Sequence, residues 1–495
     1  MFQYNSLAAV DLGSNSFHLQ VVRVDDGQLY ELDSIKEPVR LAAGLDDEKR
    51  LTEPVQERAL ACLERFGERL RGFPATSVRA VATNTLRVAR NARQFLAAAE
   101  KVLGFPIDII AGREEARLIY LGVAHGLPAT SGNRLVVDIG GGSTECIIGN
   151  GIDPIHTESL YVGCVGLSQR FFADGKVTAS RMLKAEVAAR SELQTITTEF
   201  TEAGWTDAVA SSGTARTLAE MIVQAGLGER EITPGGLDGL RAMLIKAGDW
   251  RQLELPGLPP DRAPVIAGGL AIMSAVLSEL GVDRMSLSPY ALRHGVLFDL
   301  IGRVEHHDMR EATVQQFQRR YQIDMAQARR VEASAVMLFE QVAGDLPGDA
   351  RERGLQRLTW AAGLHEIGIS IAYNNYHKHS SYIAKNADMP GFSKSDQATL
   401  SALLLAHRGS LTKASSLLID ELDWSLVAAI RVAAALNRRR ASRPQPPVSM
   451  RRIGDGFTLR VDEAWLRAHP LSDAALENEA AYWRAIGRQF AIEFG

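Results

Sequence analysis

One pattern occurs twice in this chain and restricts its fold more than any other feature. A short apolar run at residues 7–10 ends in Asp11-Leu12-Gly13-Ser14-Asn15-Ser16, and a second apolar run, 17–24, follows at once. Further on, residues 134–137 lead into Asp138-Ile139-Gly140-Gly141-Gly142-Ser143-Thr144-Glu145, continued by Cys146-Ile147-Ile148. Two apolar stretches joined by a short Gly/Ser turn read as a β-hairpin. One such hairpin arises easily by chance. A matched pair, each opening an α/β stretch of comparable length, points to a duplicated unit.

The remaining segments fit that frame. Residues 51–70, 92–103 and 114–123 have helical spacing, while 78–82 and 107–110 read as strands. A third small-residue loop, Ala210-Ser211-Ser212-Gly213-Thr214, follows the strand-like Ala208-Val209, and residues 285–288 precede a helix over 291–300. Helical periodicity then dominates from 311 to about 435, residues 438–447 have linker composition, and Gly454-Asp455-Gly456 marks a hairpin before a final helix. A chain of 495 residues exceeds one ordinary core. The expected division is 1–124, 125–305, 306–437 and 438–495, with the polar run 306–311 as the main boundary.

Composition excludes some classes. The formal charge of −4 argues against a generally basic nucleic-acid binder, although a local field can still hold a polyanion. The expectation is that no apolar run approaches the length of a membrane span, and that the first six residues, lacking a basic segment and an apolar core, form no secretory leader. Cys62, Cys146 and Cys164 show no CxxC spacing and leave an odd count, which fits a reduced, cytoplasmic protein.

Glycine and serine at a hairpin turn let backbone N–H groups converge on one concave space, which suits phosphate oxygens. Asp11 and Asp138, at the strand ends, would face a phosphate held there. Two carboxylates beside a phosphate make chemical sense with Mg²⁺ between them. The plainer alternative is a flexible turn capped by its aspartate; the matched pair favours phosphate.

The motifs Asp11-Leu12-Gly13-Ser14-Asn15-Ser16-Phe17-His18, Thr83-Asn84-Thr85-Leu86-Arg87, Arg113-Glu114-Glu115-Ala116-Arg117-Leu118-Ile119, residues 138–145 and Ser212-Gly213-Thr214 occur in a meaningful order. In that order the chain resembles the exopolyphosphatase / guanosine pentaphosphate phosphohydrolase family, nearly to its C-terminus. The resemblance implies an α/β fold of two actin-like, ribonuclease H-like lobes around a cleft. An all-α HD-like domain and a small C-terminal α+β domain would follow. It implies that Glu115 orients or deprotonates the attacking water, and that Asp138, Glu145 and Asp11 serve the metal. Ser14, Asn15, Ser16, Thr83, Gly140, Gly141, Gly142, Ser143, Gly213 and Thr214 would cradle phosphate, with Arg87 as a clamp. Taken alone, Glu115 would read as charge compensation at a helix N-terminus, and Arg87 as a solvated helix arginine. The resemblance further implies Mg²⁺, with K⁺ as a second candidate, a homodimer, a link to the stringent response, and a cytoplasmic site that in some members lies at the inner membrane face.

The two substrates of the family stay in competition. Gly140–Gly142 and His377-Lys378-His379-Ser380 look more like the polyphosphate branch, whereas Val39-Arg40-Leu41-Ala42-Ala43-Gly44 and Gly122-Val123-Ala124-His125 look like the guanosine pentaphosphate branch. Inorganic polyphosphate is preferred, with guanosine pentaphosphate, or both, as the alternative. Other classes sharing the superfamily are an ATP-dependent kinase and a filament or chaperone-like ATPase. In the helical region, Leu364-His365-Glu366-Ile367-Gly368 resembles the centre of an HD-type metal site. Arg329-Arg330, Glu366 and Asn437 replace three of its expected ligands, so a fold without its metal is expected. His377, Lys378, His379, His407 and Arg408 are then candidates for binding the rest of a phosphate chain. Two departures from the family stand out. Tyr290 and His294, around Ala291-Leu292-Arg293, are expected to reshape the cleft wall or the contact between lobes, and Ser211 replaces a common glycine.

Overall fold

The computed structural model describes residues 6–25, 28–252, 254–304, 308–344, 346–418, 421–440 and 447–494. Part of the expected boundary run and most of the linker at 438–447 lie outside the described residues. The chain forms two compact units, Met1–Asp308 and Met309–Gly495.

The first unit contains the duplication. In its first half β1 (Ser6–Leu12), β2 (Phe17–Asp25), β3 (Gln28–Glu37), β4 (Val78–Ala82) and β5 (Ile107–Ile109) form a sheet in the order β3-β2-β1-β4-β5. It carries α1 (Glu53–Arg69), α2 (Asn84–Val88), α3 (Ala92–Leu103) and α4 (Gly112–Gly126). In the second half β6 (Arg134–Ile139), β7 (Thr144–Asn150), β8 (Asp153–Leu160), β9 (Asp207–Ser211) and β10 (Ser286–Leu287) form a sheet in the order β8-β7-β6-β9-β10. With it go α5 (Cys164–Phe172), α6 (Ala179–Leu193), α7 (Thr197–Ala203), α8 (Gly213–Gln224), α9 (Pro234–Ala247), α10 (Ala263–Leu280) and α11 (Leu292–Val304). In each sheet the first three strands pair antiparallel and the last two join in parallel. Equal order and equal pairing sense establish the repeat.

Strand periodicity explains the layering. Successive side chains of β1 face opposite ways, so Ala8, Val10 and Leu12 pack with α1 and α3 while Leu7 and Ala9 face inward. The inward faces of both sheets, through Ala9, Val81, Val136 and Val209, close on α4 and α11. The outer face of the second sheet packs on α5, α6, α8 and α10. Between the sheets α4 and α11 touch backbone to backbone. A side chain at Gly122 would come within 2.6 Å of the Ala291 carbonyl oxygen, and one at Gly295 would collide with Leu118. Buried charge fixes the same helix pair. Arg117 makes a two-pronged contact with Glu114 (2.7 and 2.8 Å), and Asp299 of α11 accepts from Arg117, Arg79 and Arg303.

Three strands have no counterpart in the expected elements. β3 and β8 are half-exposed edges with interspersed charges, and β13 (Phe490–Phe494) is a short parallel addition; none has the apolar run that flags a buried strand. The expectation about apolar runs also needs correction. Helix α10 is long and apolar enough to cross a membrane, with a mean hydropathy of 1.7 over 18 residues. It is 72% buried within the second half of the unit, as an all-round apolar core helix must be.

The second unit opens with α12 (Met309–Arg320), α13 (Met325–Val342), α14 (Gly348–Leu364), α15 (Tyr376–Asn386), α16 (Lys394–Ala406) and α17 (Glu421–Leu436). Then come β11 (Val448–Ile453), β12 (Gly456–Val461), α18 (Glu463–Ala468), α19 (Pro470–Arg484) and β13. The β11–β12 hairpin turns at Gly454-Asp455, and β13 pairs with β12 in parallel. This C-terminal part shares one core with the helices, Trp483 lying 5.5 Å from Trp424 between ring centroids. At the positions of the HD-type ligands, Glu366 pairs with Arg440 at 2.5 Å and Asn437 Nδ2 donates to Ser334 Oγ at 2.9 Å.

Candidate active site

The repeat places two equivalent carboxylates at two equivalent strand ends. Asp11 sits opposite His18 across the β1–β2 hairpin, and Asp138 sits opposite Glu145 across β6–β7. The turns that follow meet each other. A side chain built on Gly141 would lie 3.1 Å from Ser14 Cβ and 3.6 Å from the Asn15 nitrogen, and one on Gly142 would strike the Asn84 carboxamide. These glycines are therefore required by close approach. None of Gly13, Gly140, Gly141 and Gly142 has a positive φ.

Behind the turns, the carbonyls are engaged. Ser14 and Asn15 accept from the amides of Ala42 (2.9 Å) and Arg40 (2.7 Å), and Gly140 and Gly141 accept from Cys164 (3.0 Å) and Val165 (2.9 Å). In a planar trans peptide the N–H points opposite to the carbonyl. The amides of Asn15, Ser16, Gly141 and Gly142 are thus turned to the other side. Ser14 Oγ accepts from Thr85 (2.8 Å), while Ser14, Ser16, Thr83 and Ser143 are all buried.

Glu115 arrives from the first turn of α4. Its Oε2 accepts from Arg87 Nη1 at 2.7 Å, and the same Nη1 donates to the Ile110 carbonyl at 3.0 Å. Gly112 lets α4 start against Ser159: an added side chain would come within 2.6 Å of Ser159 Oγ, the hydroxyl that donates to Glu145 at 2.8 Å. Glu115, Asp11, Asp138 and Glu145 consequently share one electrostatic neighbourhood. Burial, then Glu115, raise the Asp11 carboxyl to about 7, and burial, then Glu115, raise Asp138 to about 7 against a Ser211 hydrogen bond. Burial, Glu115 and Asp138 push Glu145 well above the usual range, and burial lifts Glu115 itself against the pull of Arg87. Across from Asp11, His18 is driven down to about 3 by burial and by Arg293, Lys36, Arg262 and Arg216.

The donor set suits a hard cation. Asp11 Oδ1 is buried without a hydrogen-bond partner, and burial with Glu115 nearby raises the proton affinity of both aspartates. Among the described residues no three carboxylate, imidazole or thiolate groups form a ready-made cage. Mg²⁺ is typically held by one or two carboxylates together with water and substrate phosphate, and the orphaned Asp11 Oδ1 is an acceptor such an ion would engage.

The third loop supplies a helix start. Ser212 adopts φ 121°, ψ 161° and its hydroxyl caps Ala215 N at 3.1 Å. Gly213 lies directly beneath the Arg262 guanidinium. The Thr214 hydroxyl is engaged, donating to the Ile139 carbonyl at 3.1 Å, so its side chain ties α8 to β6 and only its backbone faces outward. The strained position is Ser212, whereas Ser211 is an ordinary strand residue whose Oγ donates to the Tyr290 carbonyl at 3.0 Å. Tyr290 covers Gly126 of α4, and His294 Nδ1 accepts from Ala291 N at 3.2 Å; both shape the α4–α11 contact.

The five chain-binding candidates of the helical unit are placed differently. Lys378 is exposed and His379 half-buried, and the Arg408 guanidinium lies 4.9 Å from the centroid of the Tyr376 ring. His377 is half-buried and pushed down to about 4 by burial and by Arg408. His407 is enclosed, 1% exposed, with Nδ1 bonded to the Leu404 carbonyl at 2.7 Å and its titration well below the normal range because of burial. It is a neutral packing group and offers no charge to a phosphate. The reading of the sequence missed Ser159, Asp299 and Arg293. Only charged residues spaced along otherwise apolar helices could have flagged the last two.

Comparison with known proteins agrees with this geometry. Residues 20–304 match the Ppx/GppA phosphatase family, and residues 309–480 match Ppx/GppA phosphatase, domain III. Among solved structures, the chain resembles the PPX-GPPA enzyme of Aquifex aeolicus at 28% identity, with a TM-score of 0.51, over 59% of this chain and 98% of that one. It also resembles an exopolyphosphatase from Cytophaga hutchinsonii at 26% identity, with a TM-score of 0.55, over 60% of this chain and 98% of that one.

Proposed function

The chain belongs to the Ppx/GppA phosphatase family, and on that premise we propose that it hydrolyses terminal phosphoanhydride bonds of inorganic polyphosphate and releases orthophosphate. One observation carries this reading: the two turns meet at Gly141 and Ser14, and the Glu115 carboxylate shares the electrostatic neighbourhood of the aspartates that precede them. The exopolyphosphatase of Cytophaga hutchinsonii among the similar structures supports the choice of substrate.

In this reading the amides of Asn15, Ser16, Gly141 and Gly142 receive oxygens of the terminal phosphate, together with the backbone at Gly213 and Thr214. Asp11 and Asp138, one from each half of the repeat, would hold Mg²⁺ with Glu145 beside them. When bound, the ion would neutralise charge on the phosphoryl oxygens. Phosphoryl transfer asks for positioning and charge neutralisation more than covalent help. Glu115 takes a proton from water as the water oxygen bonds to the terminal phosphorus. The bridging P–O bond breaks, and the shortened chain leaves with the bridging oxygen. Burial raises the proton affinity of Glu115, which suits a base, while Arg87 opposes that rise and orients the carboxyl.

The test is an assay on long-chain polyphosphate with Mg²⁺, following released orthophosphate and remaining chain length, beside guanosine pentaphosphate. Orthophosphate without internal fragments is expected. A kcat/KM more than tenfold higher for guanosine pentaphosphate would overturn the substrate assignment, and internal fragments would overturn attack at the chain end.

A further inference from the structure

Two buried, oppositely charged atoms in the first unit lack partners and do not satisfy each other. One is Asp11 Oδ1, at the end of β1; the other is Arg293 Nε, in the first turn of α11. Buried polar atoms without partners are rare in folded proteins, and each calls for an explanation such as an absent ion or ligand. The backbone on either side of Arg293 is held in place. Ser288 N donates to the Ala210 carbonyl at 3.0 Å, and Ser211 Oγ donates to the Tyr290 carbonyl at 3.0 Å, which fastens the segment before Arg293 to the end of β9. His294 accepts from Ala291 N and lies 3.4 Å from Gln20 of β2, and Gly295 lies against Leu118 of α4. Arg293 thus opens α11 from a segment anchored at the end of β9. It stands in the field of Asp11, Glu31 and Asp138, and close to the positive charges of Arg216 and Lys36.

A structural arginine in such a position would be expected to form a bidentate pair with one of those aspartates, because that geometry is strongly favoured. No hydrogen bond joins Arg293 to Asp11 or Asp138 among the described residues. Its charge is close enough to lower both carboxyls, but its Nε remains unmet. An acceptor carrying two or more oxygens and negative charge would meet the guanidinium and leave the aspartates to a cation.

We propose that Arg293 is a further catalytic residue, donating from its guanidinium to the oxygens of the phosphoryl group under attack. It would complement the turn amides from the opposite wall and stabilise the charge that grows on those oxygens in the transition state. This inference rests on the phosphohydrolase reading above.

Wild type, R293A and R293K are compared by polyphosphate hydrolysis, by calorimetric titration with inorganic orthophosphate in Mg²⁺, and by thermal unfolding. For R293A, kcat falls about 10²–10³-fold, the range for loss of one preorganised transition-state donor, while KM changes less than threefold. Added guanidinium at tens of millimolar restores R293A at least tenfold and leaves wild type and E115Q unchanged. R293K keeps the charge without the planar fork, folds as wild type and still loses at least tenfold in kcat. Orthophosphate binds R293A at least fivefold more weakly than wild type. The proposal is overturned if R293A keeps more than a third of wild-type kcat. It is equally overturned if orthophosphate binds R293A and R293K as it binds wild type. Should R293A unfold, R293K decides. If wild type releases no phosphate from polyphosphate or guanosine pentaphosphate, the phosphohydrolase reading falls, and the orthophosphate titrations still decide Arg293.

Discussion

The two hairpins of the repeat have the same strand order, the same pairing and an aspartate at the same place, but they differ at the residue across from it. In the first, Asp11 faces His18, which burial and surrounding cations keep neutral; in the second, Asp138 faces Glu145, a second buried carboxyl. Duplication therefore copied the scaffold and left the electrostatics unequal. The first turn borders a cluster of cations, Lys36, Arg216, Arg262 and Arg293, and the second gathers acids. The difference sets the local balance of charge: the cations crowd the residue facing Asp11, and an additional acid faces Asp138.

Glu115 belongs to neither hairpin but acts electrostatically on both, so its replacement has the largest expected effect. Glu115→Gln keeps the Arg87 contact through its amide oxygen and removes the base. We expect kcat to fall about 10²–10⁴-fold with far-UV dichroism and Tm near wild type. A variant retaining a third of wild-type kcat would take Glu115 out of that role.

The contact between the turns can be tested next. Gly141→Ala adds a methyl 3.1 Å from Ser14 Cβ and 3.3 Å from Val165, so one turn must shift by a few tenths of an ångström. Displacements of about 1 Å at a reacting centre can lower rates by about 10²-fold, and a smaller shift here should reduce kcat by roughly 10-fold. Gly140→Ala meets its nearest neighbour at the same 3.1 Å, but that atom is the Ser143 carbonyl within its own turn. It should change kcat by less than about threefold. Equal losses in the two variants would mean that the approach of the hairpins is not what matters.

Much of this was legible in the sequence because its signals are local. The paired Asp–aliphatic–Gly turns, the order of the motifs and the helical spacing of 114–123 all follow from residues close together in the chain, and Glu115 does lie with Asp11, Asp138 and Glu145. What could not be read depends on long-range packing. β3 and β8 are edge strands whose exposed faces carry charges, so their composition resembles loop. The engagement of the Thr214 hydroxyl depends on a carbonyl 75 residues away, and the burial of His407 on the packing of the helical unit. Arg293 sits in the Ala291-Leu292-Arg293 segment, but nothing in that local pattern gives it a role; its meaning comes from the aspartates at the ends of β1 and β6.

The unequal acids and cations also predict opposite responses to pH. In the metal-free protein Asp11 and Asp138 bind protons with folded-state values near 7, against 3.8 as the ordinary value. A folded value above the unfolded one means that the stabilising contribution is complete below about 3.8 and is lost as pH rises through 7. Between pH 8 and 6.5 the metal-free first unit should therefore gain stability on the order of 1 kcal/mol as pH falls. Below 6.5 the depressed histidines, His18 and His294 near 3, work the other way: protonation is blocked in the folded state, and stability declines towards their folded values. Saturating Mg²⁺ should abolish the gain between 8 and 6.5 by holding the aspartates ionised. Glu145→Gln removes a buried carboxyl that Glu115 and Asp138 both oppose and should raise the metal-free Tm at pH 8 by about 2–4 °C, whereas His18→Gln should leave the slope between pH 8 and 6.5 unchanged. A slope altered by His18→Gln and not by Glu145→Gln would invert this reading of the charge balance between the hairpins.

The smallest effect concerns the third loop, which handles backbone strain in the reverse manner to the hairpins. There, four glycines lack a positive φ and two of them, Gly141 and Gly142, serve close approach; here, the positive φ falls on Ser212 and not on a glycine. A side-chain-bearing residue at φ 121°, ψ 161° is strained by about 1–3 kcal/mol. Two terms oppose relief by glycine: loss of the cap on Ala215 N, a few tenths of a kcal/mol, and the greater freedom of the unfolded chain, about 0.4–1 kcal/mol. Strain still outweighs them, and Ser212→Gly should stabilise the first unit by about 0.5–1 kcal/mol. If that strain holds the start of α8 against the substrate phosphate, the more stable variant should also turn over more slowly, by about twofold. A Ser212→Gly protein with lower Tm would show that the cap dominates the strain, and that the loop, unlike the hairpins, is held by its side chain.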